Sequence, residues 1–148
     1  MNSTDELGNF GTDDNGGIFY TFTTVCAPPP PIPDGSAGAQ PFTVERATAD
    51  GSQVIVRWDN LCGPAETNLL YGPLGQVSTY TIEGALCSIS SSELWDAVPP
   101  GSLWLLLVGE NPDHLESSWG QASTGERGGF AASGQCGTLG KNPSVQCP

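Results

Sequence analysis

The side chains most able to do chemistry in this chain are its five cysteines: Cys26, Cys62, Cys87, Cys136 and Cys147. None forms a C-x-x-C pair and the single histidine is His114, so the spacing disfavours a zinc site or haem attachment. Dispersed cysteines in an acidic chain rich in glycine and proline are typical of disulfides made in an oxidising compartment. An odd number leaves one thiol that is either free or bonded to another chain.

The positions of the cysteines suggest one pairing and leave the rest open. Cys62 and Cys87 flank two expected strands, and we predict an intradomain disulfide between them. Cys26 then bonds Cys136 or Cys147, in its own chain or in a neighbouring copy. The alternative is one local pair with one unpaired thiol, and the sequence does not decide between the two.

Side chains that could act in catalysis do not form a recognisable set. His114 lies beside Asp113 and Glu116, and Ser117 follows, but closeness in sequence does not position a nucleophile against a base. Carboxylate pairs such as Glu110 with Glu116 are common in any chain this acidic. No glycine-rich phosphate loop precedes a helix either. We therefore predict that the protein is not an enzyme and needs no cofactor.

The chain is strongly acidic, with 16 Asp and Glu against 4 Lys and Arg and a formal net charge of −12. This charge repels phosphate backbones, so nucleic acid is not an expected partner. Acidic turns can hold Ca²⁺, which makes Asp13 and Asp14 weak metal candidates. Their spacing does not match a calcium-binding loop, and a solvated turn is the favoured interpretation.

Neither a membrane span nor an export signal is evident. The longest apolar run, Leu103 to Val108, is too short to cross a bilayer, so we expect no membrane insertion. The first ten residues lack the basic start and apolar stretch of a signal peptide. We expect that a signal was removed or that the chain is a piece of a longer precursor.

Composition divides the chain into segments. Residues 1–26 are a polar lead that ends in one strand, and residues 27–40 are a linker, APPPPIPDGSAGAQ. Residues 41–130 form the main domain, and a glycine-rich tail with two cysteines occupies 131–148. The run Pro28–Pro31 favours an extended polyproline II conformation, which acts as a semi-rigid spacer.

The main domain has the pattern of about seven short strands separated by turns, as in an all-β sandwich of two sheets. The predicted strands cover 41–46, 53–58, 68–71, 77–82, 94–95, 103–108 and 115–123. The apolar run 103–108 is expected in mid-sheet, covered on both faces. The predicted core consists of Val54, Val56, Trp58, Tyr71, Tyr80, Trp104 and Leu106.

Several runs of the main domain resemble a fibronectin type III domain. FTVERATADGSQVIVRWD is similar to its first two strands, with Trp58 as the core tryptophan. PPGSLWLLLVGENPDHLESSWGQAS resembles the sixth strand, the next loop and the last strand, although the family usually has tyrosine where Trp104 stands. The succession of Cys62, LLYGPL, Cys87, ESSWG, GER and Cys136 resembles a cysteine-bearing variant in large secreted bacterial proteins. The resemblance covers 41–137 and implies an immunoglobulin-like sandwich outside the cell.

The lead segment DELGNFGTDDNGGIFYTFTT resembles the final loop and last strand of another immunoglobulin-like or fibronectin-like domain. Its strand alternates, with Ile18, Tyr20 and Phe22 on one side and Phe19 on the other. A lone strand is not stable in water, because its backbone groups need the edge of a sheet. Either it packs on its own domain or belongs to a neighbouring one, or it joins the sheet of another copy.

Together these patterns predict a fibronectin type III-like sandwich with an N-terminal strand arm, acting as an extracellular structural protein. Its expected partners are copies of itself, joined head to tail by strand addition and disulfides into a filament, or neighbouring domains of a larger chain. The rival is a secreted adhesin or recognition module that binds a glycan or a protein through loops. In that case Trp95 or Trp119 would stack on sugar rings.

Overall fold

The computed structural model describes residues 2–4, 10–12, 41–59 and 63–144 of the chain. It is built from strands: β1 Asn2–Thr4, β2 Phe10–Thr12, β3 Thr43–Arg46, β4 Val54–Arg57, β5 Glu66–Pro73, β6 Gly84–Leu86, β7 Ser92–Trp95, β8 Leu103–Glu110, β9 Leu115–Glu116, β10 Gln121–Ala122, β11 Gly125–Glu126 and β12 Gly140–Lys141. Among the described residues the one helical element is a 3-10 helix, Leu74–Thr79. The prediction of an all-β chain is confirmed.

The N-terminal lead contains an antiparallel hairpin that the sequence did not suggest, with Asn2 opposite Thr12 and Thr4 opposite Phe10. The predicted strand with Ile18, Phe19, Tyr20 and Phe22 lies outside the described residues, as does the linker 27–40. The same holds for Asp13, Asp14, Cys26, Cys62 and Cys147.

A three-stranded antiparallel sheet has the order β3-β4-β7. Because side chains alternate along a strand, Val54, Val56 and Trp58 all face inward and are buried. Arg57 points to the opposite side, where it forms an exposed ion pair with Glu45 of β3. This sheet therefore turns one apolar face to the core, as the period-2 pattern predicts, while its outer face carries the ion pair beside Ile55 and the exposed Leu94.

The second sheet has five strands in the order β12-β9-β8-β5-β6. Its two long strands, β5 and β8, pair along their whole lengths, from Glu66 opposite Glu110 to Pro73 opposite Leu103. The apolar strand β8 is thus central, as predicted. Strand β12 joins the edge in parallel with β9, because Gly140 is the partner of Leu115.

Both faces of the five-stranded sheet are covered by apolar side chains. On one face Leu69 and Leu107 pack with the inward residues of the three-stranded sheet, including Val56 and Trp95. The opposite face carries a second cluster, which consists of Leu70, Trp104, Val108 and Trp119. Residues of β8 alternate between the two clusters, which explains why its sequence is apolar without interruption.

The predicted core residues occupy both clusters. Val54, Val56 and Trp58 are buried and Tyr71 packs against them, while Trp104 is buried in the second cluster beside the partly buried Tyr80 and Leu106. Two indole nitrogens, Nε1 of Trp58 and of Trp104, are buried without a hydrogen-bond partner among the described residues.

The strand predicted at 77–82 is wrong. The first part of this segment belongs to the 3-10 helix, and Tyr80 follows it in the left-handed conformation with φ of 50°. The Tyr80 ring packs edge-on against Trp104, with 6.3 Å between ring centres, and against Trp119 at 6.0 Å. Packing of this aromatic side chain on the second cluster outweighs the β propensity of the valine and threonines nearby.

The last predicted strand, 115–123, is shorter than expected. Strand β9 contains only Leu115 and Glu116, after which the chain leaves the sheet edge and crosses the second cluster with Trp119. A small hairpin follows, in which Gln121 is opposite Glu126. The segment assigned to a tail contributes strand β12, so the packed structure extends beyond residue 130 to at least Lys141.

Candidate functional site

A disulfide joins Cys87, just after β6, to Cys136, with Cα atoms 5.4 Å apart. The disulfide predicted between Cys62 and Cys87 is therefore wrong, because the Cys87 sulfur is already bonded to Cys136. The bond closes a loop with a sequence separation of 49 residues and ties the chain beyond β11 to the edge of the five-stranded sheet. Cys136 has a positive φ of 55°, an uncommon conformation for a residue with a side chain.

Buried polar side chains fasten the same C-terminal segment to the sheet. We call Glu116, Trp119, Glu126, Ser133 and Lys141 the C-terminal lock. Glu116 belongs to β9, Glu126 to β11 and Lys141 to β12, so three strands supply its charged groups. Each of these strands is two residues long, so side-chain contacts add to a few backbone hydrogen bonds in holding the segment in place. Two of these bonds run from the Leu139 N–H to the His114 carbonyl and from the Asn142 N–H to the Glu116 carbonyl, both at 2.8 Å.

Lys141 is the centre of the lock. Its Nζ lies 2.9 Å from Glu126 Oε1, and the two side chains are 0% and 3% exposed. The same ammonium donates to the backbone oxygens of Arg127, at 2.7 Å, and Gly129, at 2.9 Å. It also lies 4.0 Å from the centre of a Trp119 ring, a favourable cation–π distance. Burial lowers the pKa of Lys141, and the carboxylates of Glu126 and Glu116 offset only part of that effect.

The Glu126 carboxylate accepts several hydrogen bonds besides the contact with Lys141. Ser118 Oγ donates to it at 2.7 Å, the Trp119 backbone N–H at 2.7 Å and Gln121 Nε2 at 3.2 Å. Burial raises the pKa of this carboxyl, but the donors outweigh burial and the net pKa is lowered. Glu126 is therefore an ionised structural acceptor, which makes it unsuited to donate a proton.

Glu116 is completely buried and is satisfied by neighbours from the same segment. Its Oε2 accepts from the Trp119 indole N–H at 3.3 Å and from the Ser133 backbone N–H at 2.9 Å. Its Oε1 accepts from the hydroxyls of Ser133 and Thr138, the latter at 3.3 Å. The carboxylate thus gathers donors from three points along the returning chain, at Trp119, Ser133 and Thr138.

A second buried carboxylate lies directly across the ladder, since Glu110 of β8 is the partner of Glu116 of β9. Glu110 accepts from Asn68 Nδ2 at 2.7 Å, and its other oxygen is 2.6 Å from His114 Nδ1. His114 is 54% exposed and has a φ of 59°. The sequence neighbours Asp113, His114 and Glu116 therefore do not converge on one point, because His114 pairs with Glu110 while Glu116 serves the lock.

The buried charged side chains of this region bind one another and nearby hydrogen-bond donors. Among residues 63–144 each buried carboxylate is occupied by internal donors, and no serine hydroxyl is hydrogen-bonded to His114. The arrangement stabilises the fold and holds the C-terminal segment on the sheet.

One small cleft of about 180 Å³ lies at the end of the core beside Trp58, lined mainly by Glu66, Thr67, Ser88, Ile89 and Ser90. It is smaller than the roughly 300–1,000 Å³ of most ligand pockets. The aromatic surfaces expected for sugar stacking are not available, because Trp95 is 4% and Trp119 6% exposed. The expectation that Trp95 or Trp119 stacks on sugar rings is therefore wrong, because both rings are packed inside the domain.

The sequence patterns did not predict the C-terminal lock, although one feature of the composition indicates it. Lys141 is the only lysine of the chain, in a sequence with 16 acidic residues. A lone lysine surrounded by so many acids is a candidate for a specific ion pair. The run ESSWG, followed by GER, contains Glu116, Trp119 and Glu126, but nothing in its spacing indicates that Lys141 completes the set.

Comparisons of the chain with models of known families, with curated proteins and with solved structures found no match. Within the described part of the chain, no helix is long and apolar enough to cross a membrane.

Proposed function

We propose that the chain is an extracellular structural protein, a fibronectin type III-like unit that assembles head to tail into a filament. This proposal rests on the observation that the buried charged groups and the disulfide bind parts of the domain to each other. The ionic groups of the lock and the Cys87–Cys136 disulfide bind one part of the domain to another. Such a domain is built to hold its shape, as a load-bearing unit requires.

The strand order supports the fibronectin type III-like part of the proposal. Counting from β3, the first, second and fifth strands form one sheet, and the third, fourth, sixth and seventh form the other. The two sheets share one apolar cluster. Immunoglobulin-like sandwiches distribute their strands in this way. Strand β12 and the lock are additions to that plan.

The disulfide and the acidic surface support the proposed extracellular location. A disulfide is compatible with an extracellular environment, where thiols are oxidised. The net charge of −12 favours solubility of the isolated subunit. The other three cysteines, Cys26, Cys62 and Cys147, remain candidates for disulfides between subunits.

Assembly is proposed to proceed by strand addition, with Ile18, Tyr20 and Phe22 of one subunit inserted at a sheet of the next. Each contact joins two different surfaces, so it repeats without closing and produces a fibre. The added strand supplies backbone hydrogen bonds, and its alternate apolar side chains are removed from water.

The proposal is tested with the full chain and two single variants. Phe22→Asp places a charge on the apolar side of the donor strand, whereas Thr23→Asp places the same charge on its polar side. We expect sedimentation and electron microscopy to show filaments for the unmodified chain and Thr23→Asp, and monomers for Phe22→Asp. An unmodified chain that stays monomeric at high concentration, by sedimentation and on a non-reducing gel, would contradict the proposal.

A further inference from the structure

Strand β3 is the most exposed edge of the two main sheets. It pairs with β4 on one side, and within the described residues it has no strand partner on the other. All four of its side chains, from Thr43 to Arg46, are exposed. An edge of this kind presents backbone N–H and C=O groups to any strand that reaches it.

The side chain of Val44 is exposed although it points toward the core. Val44 is the ladder partner of Val56, which is completely buried, and directly opposed residues share a face of the sheet. Phe42, two residues earlier, packs against the same core cluster. Val44 nevertheless remains 42% exposed. The core is therefore incompletely covered along this edge.

The other edges lack this combination of features. Strand β7 ends with Trp95 already buried, and its exposed Leu94 is opposite Ile55 on the outer face of the sheet. Strand β6 has three residues and β12 has two, which is too short for an extended ladder. Among the described edges of the two main sheets, only β3 combines an unpaired side with an inward apolar side chain that is half covered.

We propose that β3 is the acceptor edge for the segment Ile18–Thr24 of a second copy of this chain, in antiparallel register with Phe22 opposite Val44. The inference rests on the proposed function and adds the partner surface and the register. With this register Tyr20 lies opposite Arg46, where an aromatic ring can receive the guanidinium.

The outer face of the added strand also fits this register. Thr23 lies opposite Thr43 and Thr21 opposite Glu45, so polar side chains face water on both strands. A slip by one residue would turn Tyr20 and Phe22 to the solvent and the threonines to the core. The alternation of the donor segment therefore excludes registers shifted by one residue.

A second copy is favoured over the same chain because of the linker sequence. Residues 27–40 contain the run Pro28–Pro31, and such runs favour an extended backbone of about 3.1 Å per residue. An extended backbone at Pro28–Pro31 would oppose an immediate reversal of the chain after the donor segment, which favours a second copy as the owner of the acceptor edge. The same spacer sets the distance between neighbouring units in the filament.

The test compares two substitutions of exposed apolar residues in the full chain. Val44→Lys introduces a charge where the donor strand must pack, and Leu94→Lys introduces the same charge on the other edge strand of the same sheet. We expect Val44→Lys to raise the protein concentration needed for polymerisation about tenfold or more, since one apolar contact is lost and a charge is desolvated. Leu94→Lys should polymerise like the unmodified chain, and both should keep its Tm as monomers.

Hydrogen exchange at the backbone of β3 supplies the second measurement. In polymers, the amides of 43–46 should exchange more slowly than in the Val44→Lys monomer. Polymers that form equally well with Val44→Lys would overturn the acceptor assignment and leave the filament proposal standing. A chain that is always monomeric refutes the filament itself. Protection of 43–46 in such a monomer would show that the chain covers its own edge.

Discussion

The buried ion pair of the lock gives the sharpest prediction about stability. Replacing Lys141 by methionine keeps most of the side-chain volume and removes the ammonium. Glu126 would then stay buried without its ion partner, and the carbonyl oxygens of Arg127 and Gly129 would lose a donor. Removing one partner of a buried pair costs about 3–5 kcal/mol.

The size of this effect follows from the contacts of the two groups. Glu126 keeps Ser118, Trp119 and Gln121 as donors, which moves the expected cost to the lower end of that range. Loss of the cation–π contact adds roughly 0.5–2 kcal/mol. We expect the free energy of unfolding to fall by about 3–5 kcal/mol, which lowers the Tm of a domain of this size by about 12 °C or more.

The assay is urea unfolding followed by tryptophan fluorescence, with Arg57→Met as the matched control. Arg57 and its partner Glu45 are 44% and 63% exposed, so this ion pair should be worth about 0–1 kcal/mol. The double change Lys141→Met with Glu126→Gln should be less destabilising than the two single effects added together. If Lys141→Met costs no more than Arg57→Met at an unchanged m-value, the lock does not stabilise the fold.

Three further predictions concern the same region. Replacing Cys87 and Cys136 by serine should lower the free energy of unfolding by about 4 kcal/mol, the loop-closure value for a separation of 49 residues, as measured by urea unfolding against the oxidised chain. Gly128→Ala should cost about 1–3 kcal/mol more than Gly129→Ala. Both glycines have a positive φ, but only at position 128 would the new Cβ lie 2.5 Å from an indole atom of Trp119. Equal melting temperatures of the two variants would refute this packing. Stability should fall as the pH drops below 4.5, because the lowered pKa of Glu126 lets the unfolded chain bind more protons, and Glu126→Gln should flatten this limb of the stability–pH curve.

The period-2 pattern predicted the orientation of β4 because it is a local property of the backbone. Val54, Val56 and Trp58 alternate with Ile55 and Arg57, and the structure buries the first set. The uninterrupted apolar run of β8 likewise required cover on both faces, which two separate clusters provide. Neither inference needed knowledge of which segments meet in space.

The failure at 77–82 has a different origin. Val77, Thr79 and Thr81 have the composition of a strand, but the segment has no sheet partner in the described structure. Thr79 Oγ1 donates to the Gln76 carbonyl, and Tyr80 packs against two tryptophans. Strand formation depends on a neighbouring edge, which a local pattern cannot supply.

By itself, the sequence determined that the chain is all-β, which residues of β4 face inward and that its cysteines suit disulfides. Only the tertiary structure decided that Cys87 bonds Cys136 and that Lys141 meets Glu126 beneath Trp119. Alternation within a strand is fixed by the geometry of neighbouring peptides. Disulfides and buried ion pairs depend on distances between segments far apart in sequence, which packing of the two sheets sets once the whole domain has formed.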